Sequence, residues 1–323
     1  MKSVIWIWPD RSSARELAFD EEMYWKGYRE TAAQVGMHMD VISPEDIDVI
    51  CLPEAEPQVL VNGKQVSPAD TMFVAMLYTF PSQVQDAWLL ISTFETLKHT
   101  GFYLPISPDA GILTNEKMST LLHFQRAGLK VLPTIRLTAG RDLNSHNFDL
   151  LLEQFSFPLV VKPASWASGM GLNIAHNRAE LNSLLRLASA ANLTMLLQPR
   201  LDTTHLIDYR AYCIDGRPYE VIARSPGAGE VVANVATGGK LEIVKLPQPL
   251  VEPITHIASS LGQPFACVDF LFDGHDFWFS EIELDGAIAA IELAYEPLRE
   301  VLRERFRAYD RAHTRWLEQR SVH

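Results

Sequence analysis

The chain has 323 residues, 47% apolar and 21% charged, an ordinary globular balance with room for two or three domains at roughly 100–200 residues each. Its 28 Lys and Arg against 40 Asp and Glu leave a formal charge of −12, which repels phosphate backbones and argues against a general nucleic-acid binder, though not against a local cationic pocket for a small anion. No apolar run approaches the about 18 residues of a membrane span, so no membrane partner is expected. Three scattered cysteines, Cys51, Cys213 and Cys267, argue against a disulfide scaffold or structural zinc and read as buried thiols in a reducing cytoplasm.

In chain order, Val4–Trp8 reads as a first strand, too short for the apolar core of a signal peptide. Phe19, Met23, Tyr28, Ala32 and Val35 recur at helical spacing and predict a helix over Phe19–Val35 that stops at Gly36. A strand at Met39–Ser43 follows, then a hairpin about Asn62-Gly63, a buried strand at Met72–Tyr78, a helix at Gln83–His99 closed by Gly101, and a strand at Phe102–Ile106. This rhythm predicts an open α/β sheet flanked by helices. Pro105–Thr114 reads as a linker. Beyond it come a helix from Asn115 to Ala127 ended by Gly128, a strand near Pro133–Leu137, a short helix at Phe148–Phe155 and a buried strand at Phe157–Pro163. A loop of small residues, Ala164–Gly171, precedes a strand at Leu172–Ala175, a helix at Arg178–Ala191 and a strand at Thr194–Gln198.

The last third is richer in strands. Tyr209–Ile214 and Tyr219–Arg224 flank Asp215-Gly216, and Ala266–Phe272 and Phe277–Ile282 flank Asp273-Gly274, with an irregular stretch, Ser225–Lys240, between the two pairs. The helix at Leu298–Leu317 has seven Arg against four acidic residues between Arg299 and Arg320 and reads as a solvated face. Trp6, Trp8 and Trp25 read as packing.

Two regions carry residue types suited to chemistry. Lys162 ends an apolar strand just before a loop of small residues, where backbone N–H groups and an ammonium can close over phosphate oxygens, although no Walker A motif is present. Glu281 and Glu283 share one strand face by period-two alternation, and a hairpin through Asp273-Gly274 brings Asp269 beside them. Three carboxylates on one face repel unless a cation neutralises them, and an oxygen-only set favours Mg²⁺ shared with substrate phosphates. Neither a Rossmann glycine fingerprint nor a serine-hydrolase elbow nor a zinc-protease motif occurs.

Taken in order, these features resemble the ATP-grasp fold, and most of all its RimK-like branch of carboxylate–amine ligases, over roughly Asn115–Glu292. The resemblance implies an α/β (α+β) chain in three parts: an N-terminal open α/β domain over residues 1–110, a central ATP-grasp subdomain over 111–198 with the lysine strand and lid loop, and a C-terminal subdomain over 199–323 with the metal site. It implies phosphate-binding lysines at Lys117 and Lys162, a lid at Ser165–Gly171 that includes Ser168 and Gly169, and an adenine hinge at Gln198, Pro199 and Leu201. Asp208-Tyr209-Arg210 is similar to the family's Asp-x-Arg, whose Asp binds ribose, Arg224 matches an arginine near the transferred phosphate, and Asn234, followed by Thr237-Gly238-Gly239, matches the asparagine before a glycine pair. Asp269 and Glu281, twelve apart, have the family's spacing for metal ligands, with Glu283 standing where Asn is usual. Val232 replaces a usual Arg, Trp166 is bulky for a lid, and Leu284-Asp285-Gly286 replaces Asn-Pro-Gly.

The implied cofactors are ATP and Mg²⁺, or Mn²⁺ in its place. The implied reaction is ATP-dependent amide formation through an acylphosphate, catalysed with Arg224 and Lys162, between small-molecule or peptide carboxylates and amines. A homodimer is the family's frequent assembly. A kinase, an ester-forming ligase and a nucleotide-binding regulator without turnover are the alternatives at this level.

Overall fold

The computed structural model describes residues 1–9, 11, 13–75, 86–137, 152–202, 205–225 and 240–320. Strand β1 (Ser3–Ile7) lies between β2 (His38–Ile42) and β6 (Thr71–Ala75), all parallel, and Val4 to Ile7 are buried as an inner strand of a covered parallel sheet must be. The helical run after β1 begins earlier than periodicity predicts, because Ser13 and Glu16 form a reciprocal capping box at its start. It comprises α1 (Ala14–Asp20), a wider π-helical turn at Glu21–Trp25, and α2 (Lys26–Gln34). That turn rotates the apolar stripe, so Trp25, Tyr28 and Ala32 are buried while Phe19, expected on the same face, is 59% exposed.

A separate antiparallel sheet of β3 (Ile47–Ile50), β4 (Gln58–Val61) and β5 (Lys64–Val66) contains the expected hairpin, with Asn62 and Gly63 both at positive φ. Cys51 follows β3 at an edge facing solvent and is exposed, unlike the buried Cys213 and Cys267. After α3 (Ala87–His99) the expected strand Phe102–Ile106 reduces to one parallel bridge between Met72 and Tyr103, since Pro105 has no N–H with which to extend a ladder. The expected linker is a helix instead: Ser107 caps it through the Ala110 N–H and Pro108 opens α4 (Pro108–Asn115). The strand at Met72–Tyr78, the helices at Gln83–His99 and Phe148–Phe155, and most of Ser225–Lys240 lie partly outside the described residues.

The middle of the chain forms α5 (Lys117–Arg126), β7 (Ile135–Leu137), β8 (Leu159–Pro163), β9 (Asn173–Ala175), α6 (Arg178–Ala190) and β10 (Met195–Pro199). The strands pair antiparallel in the order β7-β10-β8-β9, and Leu181, Leu185 and Ala188 of α6 cover Leu159 and Val161. The third part is an antiparallel sheet of β11 (Ile207–Ile214), β12 (Arg217–Ser225), β13 (Lys240–Ile243), β14 (Phe265–Phe272) and β15 (Phe277–Glu283), in the order β13-β12-β11-β14-β15. Helices α7 (Gln248–Ser260) and α8 (Glu296–Arg320) pack on it.

The solvated-face reading of α8 holds for only part of its arginines. Arg303 and Arg307 pair with Glu300 and Glu304 along the surface, but Arg305 is fully buried beside Leu302, Phe306 and Tyr309. The tryptophan reading stands: Trp6 and Trp25 pack together at 5.7 Å within the core.

Phe124 of α5 stacks 5.2 Å from Phe279 of β15 and is fully buried, so one aromatic contact ties the helix that begins at Lys117 to the strand that carries Glu281. Phe124→Ala is expected to lower the unfolding free energy by about 3–5 kcal/mol in urea denaturation. A loss below about 1 kcal/mol would mean that this helix is not anchored on the strand.

Candidate active site

The register of the third sheet assembles a charged row. Arg210 of β11 stands opposite Asp269 of β14, which stands opposite Glu281 of β15; one step along, Cys267 faces Glu283, and Asp208 faces Arg224 of β12. Residues directly opposite in an antiparallel pair share a face, so these side chains converge. A bulge makes this compatible with the core. Asp269 pairs with Glu281 but its neighbour Phe270 pairs with Phe279, leaving Ser280 as the extra residue. Phe279 and Glu281, two apart, therefore face opposite sides, one into the aromatic core and one into the site.

Asp269, Glu281 and Glu283 each offer an oxygen within 4.8 Å of the others. Every one of them has a cationic partner. Arg210 contacts Asp269 at 2.7 Å and Glu283 at 2.8 Å, Lys117 contacts Glu281 at 2.9 Å, and Arg224 bridges Asp208 at 2.9 Å and Asp269 at 3.1 Å. Arg210 and Asp269 are buried, and both nitrogens of the fork donate to both carboxylate oxygens. The electrostatics follow. Burial pushes the Asp208 carboxyl up to about 6, with Arg224 opposing, and burial raises Glu283 against the pull of Arg210. At Asp269 burial works the same way but Arg210 and Arg224 outweigh it, holding that carboxyl below the usual range.

The donor set suits a hard divalent cation: three carboxylates, oxygen only, close enough to share one ion. Glu283 and Arg210 are matched. The glutamate adds a charge where the family usually has a neutral amide, and the arginine sits against it at 2.8 Å.

The middle sheet supplies the opposite side. Lys162 stands across from Leu196, and Val160 from Gln198, so Lys162 and Gln198 lie on one sheet face. Desolvation, reinforced by Lys117, lowers the Lys162 ammonium to about 8. Gln198 is buried and donates to the Thr134 hydroxyl at 2.8 Å; Pro199 ends the strand and Leu201 follows, half-buried.

Lys117 joins the two sheets. It is the first residue of α5, its N–H donates to the Ala164 carbonyl at 2.9 Å, and its ammonium donates to the Trp166 carbonyl at 2.6 Å while touching Glu281. The loop it grips turns through Ser168, Gly169 and Gly171, all at positive φ. A Cβ at Gly171 would sit 2.8 Å from Pro163 and 3.0 Å from the Trp166 ring, so Trp166 fits only because position 171 has no side chain.

Lys117, Lys162, Asp208, Arg210, Arg224, Asp269, Glu281 and Glu283 are thus brought together, Gln198, Pro199 and Leu201 lie on and just after β10, Ser168 and Gly169 lie in the loop that Lys117 grips, and Asn234 lies outside the described residues. A cleft of about 690 Å³ opens beside Arg224 and Ser225, lined also by His205, Glu242 and Phe272. Sequence reasoning did not foresee Arg210 as the counter-ion of the carboxylates, nor the Lys117–Glu281 pair, because both depend on strand register.

Comparison with known proteins accords with this geometry. The model of the RimK-like ATP-grasp domain matches residues 114–294, more than half of the chain. A probable alpha-L-glutamate ligase of Thioalkalivibrio sulfidiphilus is 23% identical over 282 residues, covering 86% of this chain and 89% of its own. Among solved structures, the D-cycloserine synthetase DcsG superposes with a TM-score of 0.63 at 17% identity, covering 94% of this chain and 99% of that one. A Chryseobacterium gregarium RiPP-associated ATP-grasp ligase, in complex with ADP and a leader and core peptide, superposes at 0.64 with 13% identity over 96% and 97%. The chain therefore has the ATP-grasp α+β fold and belongs to the RimK-like ATP-grasp family of ATP-dependent carboxylate–amine ligases, whose members bind ATP and a divalent metal.

Proposed function

We propose that this enzyme joins a carboxylate to the amine of an amino acid or peptide, using ATP and Mg²⁺ and passing through an acylphosphate. The observation that carries the reading is the cluster of Asp269, Glu281 and Glu283 in direct contact with Lys117, Arg210 and Arg224, with the Lys162 ammonium under the influence of Lys117 and Glu281. Phosphoryl transfer needs positioning and charge neutralisation more than covalent help from the protein, and this cluster offers both signs of charge in fixed places. The relatives' names support the acceptor class: one is a probable glutamate ligase and another holds a leader and core peptide. The three-part division at 1–110, 111–198 and 199–323 belongs to the same proposal, and what supports it is that each part carries its own sheets.

In the first half-reaction a carboxylate oxygen attacks the γ-phosphorus and the bond to the β-phosphate oxygen breaks, giving an acylphosphate and ADP. In the second, the amine nitrogen attacks the acyl carbon, phosphate leaves, and the nitrogen loses a proton to solvent. Asp269, Glu281 and Glu283 would hold the metal, which would neutralise phosphate charge. Lys117 and Lys162 bind phosphate oxygens, and Arg224 faces the transferring group. Gln198, Pro199 and Leu201 take the adenine edge, and Asp208 takes the ribose. Lys117 must leave Glu281 for a phosphate as nucleotide enters. The Ser165–Gly171 loop, with Ser168 and Gly169, covers the triphosphate and excludes water that would hydrolyse the acylphosphate.

Glu281→Gln tests the reading most directly. ADP release from Mg·ATP with pooled amino acids and short peptides is expected to fall about 100-fold or more, with the circular dichroism spectrum unchanged. A product mass equal to the two joined substrates less water establishes an amide or ester ligase, and resistance of that product to hydroxylamine identifies the amide; retained turnover in the variant would remove Glu281 from the site. Nucleotide affinity should also depend on pH. With Lys162 titrating near 8 in the free protein, binding is expected to be level below that pH and to weaken above it by up to about tenfold per unit, as the ammonium becomes neutral. Lys162→Arg, which keeps its charge, should flatten the profile; a wild-type profile level to pH 9.5 would show that the Lys162 ammonium is not lowered or does not hold phosphate, and Lys162→Gln, with affinity unchanged at pH 7, would remove it from the site.

A further inference from the structure

Among the described residues, the most buried charge lies outside the carboxylate cluster. Arg305 of α8 has no exposed surface, and its guanidinium sits 4.3 Å from the centre of the Phe265 ring and 4.8 Å from that of Trp6, with Tyr28 and Tyr309 also about it. A charge held in such a place without a carboxylate hydrogen-bonded to it is expensive, so its hydrogen bonds carry information. Nε donates to the Tyr309 hydroxyl at 2.8 Å, and Nη1 donates to the Asp285 carbonyl at 2.8 Å and to the Tyr28 hydroxyl at 3.4 Å. The Tyr28 hydroxyl in turn accepts from the Ile288 N–H at 3.1 Å. Arg305 and Tyr28 thus grip both ends of the turn 285–288, from α8 and from α2.

That turn directly follows the strand bearing Glu281 and Glu283. It packs on the sheet with no slack: a Cβ at Gly286 would stand 2.2 Å from Cys267 Sγ and 3.6 Å from Glu283 Oε2. Cys267 is the cross-strand partner of Glu283. Gly286 thus lies tight against Cys267 and beside the Glu283 carboxylate. The turn also has no proline, since Leu284-Asp285-Gly286 stands there, so its backbone owes its rigidity to these contacts rather than to a ring.

We infer that Arg305, acting with Tyr28, is a positioning residue for the metal-binding strand, fixing the turn at Asp285–Ile288 so that Glu283 is held at its distance from Asp269 and Glu281. The inference rests on the metal reading of those three carboxylates. Groups that orient metal ligands from behind change metal affinity by about 10–100-fold when removed.

The test measures Mn²⁺ binding to the whole protein by electron paramagnetic resonance of free Mn²⁺, with and without ADP, alongside thermal unfolding. Wild type, Glu281→Gln, Arg305→Met, Tyr28→Phe and Phe306→Leu are compared. Arg305→Met is expected to weaken Mn²⁺ binding by about 10–100-fold and Tyr28→Phe, which keeps the ring and removes only the hydroxyl, by about tenfold. Phe306→Leu, which alters packing against the Tyr28 ring and removes no hydrogen bond to the turn, should lower the unfolding temperature and leave Mn²⁺ affinity within twofold. If Arg305→Met does not fold, Tyr28→Phe decides. Mn²⁺ affinity unchanged in Tyr28→Phe or in a folded Arg305→Met, in a protein whose binding is lost with Glu281→Gln, overturns the positioning role alone. Wild-type binding that does not depend on Glu281 overturns the metal reading, and this inference with it.

Discussion

Four carboxylates meeting on one sheet face set the terms for everything around them. Asp208, Asp269, Glu281 and Glu283 would repel strongly in a partly desolvated place, and the fold brings Lys117, Arg210 and Arg224 to them from three different elements. Removing one partner from a buried pair leaves an uncompensated charge. Arg210 stays with Asp269 through two hydrogen bonds, whereas Lys117 holds Glu281 through one contact and is half engaged with the Trp166 carbonyl. The two cations therefore differ in how readily they let go, which suits one to support and the other to exchange.

The amount legible in the sequence varies by length scale. Strand–turn–strand units announced by Asn62-Gly63, Asp215-Gly216 and Asp273-Gly274 form as expected, because left-handed turn residues are local requirements. The pairing of Glu281 with Glu283 on one face was equally local. What could not be read was whether Glu281 shares a face with Phe279, because alternation alone puts them together and only the bulge at Ser280 parts them. The linker assigned to Pro105–Thr114 failed for a related reason: Pro and Ser mark both loops and helix starts, and the Ser107 cap distinguishes the two only when its partner N–H is in view.

The order of the candidate site residues was legible in the sequence. Lys162, Gln198, Asp208, Arg224, Asp269, Glu281 and Glu283 come in an order that resembles one family, and the family model covers that segment. Arg305 was taken with its neighbours as part of a solvated face because α8 is dense in charge. Burial of a single arginine among six surface ones leaves no trace in composition. Its signal was spacing, since Arg305 falls in step with Leu298, Val301, Leu302 and Phe306 on the buried face.

The contact between Arg305 and Tyr28 joins residues 277 positions apart. Contacts of such separation form late, because closing a loop of that length carries its entropy penalty before any contact rewards it. During synthesis the turn at Asp285–Ile288 has no clamp until α8 is made, and the core shared by the β1 sheet and the five-stranded sheet, which includes Leu298, Val301, Leu302 and Phe306, is unfinished until the same point. Completion of that core and of the clamp behind the carboxylates therefore both wait on the docking of one helix.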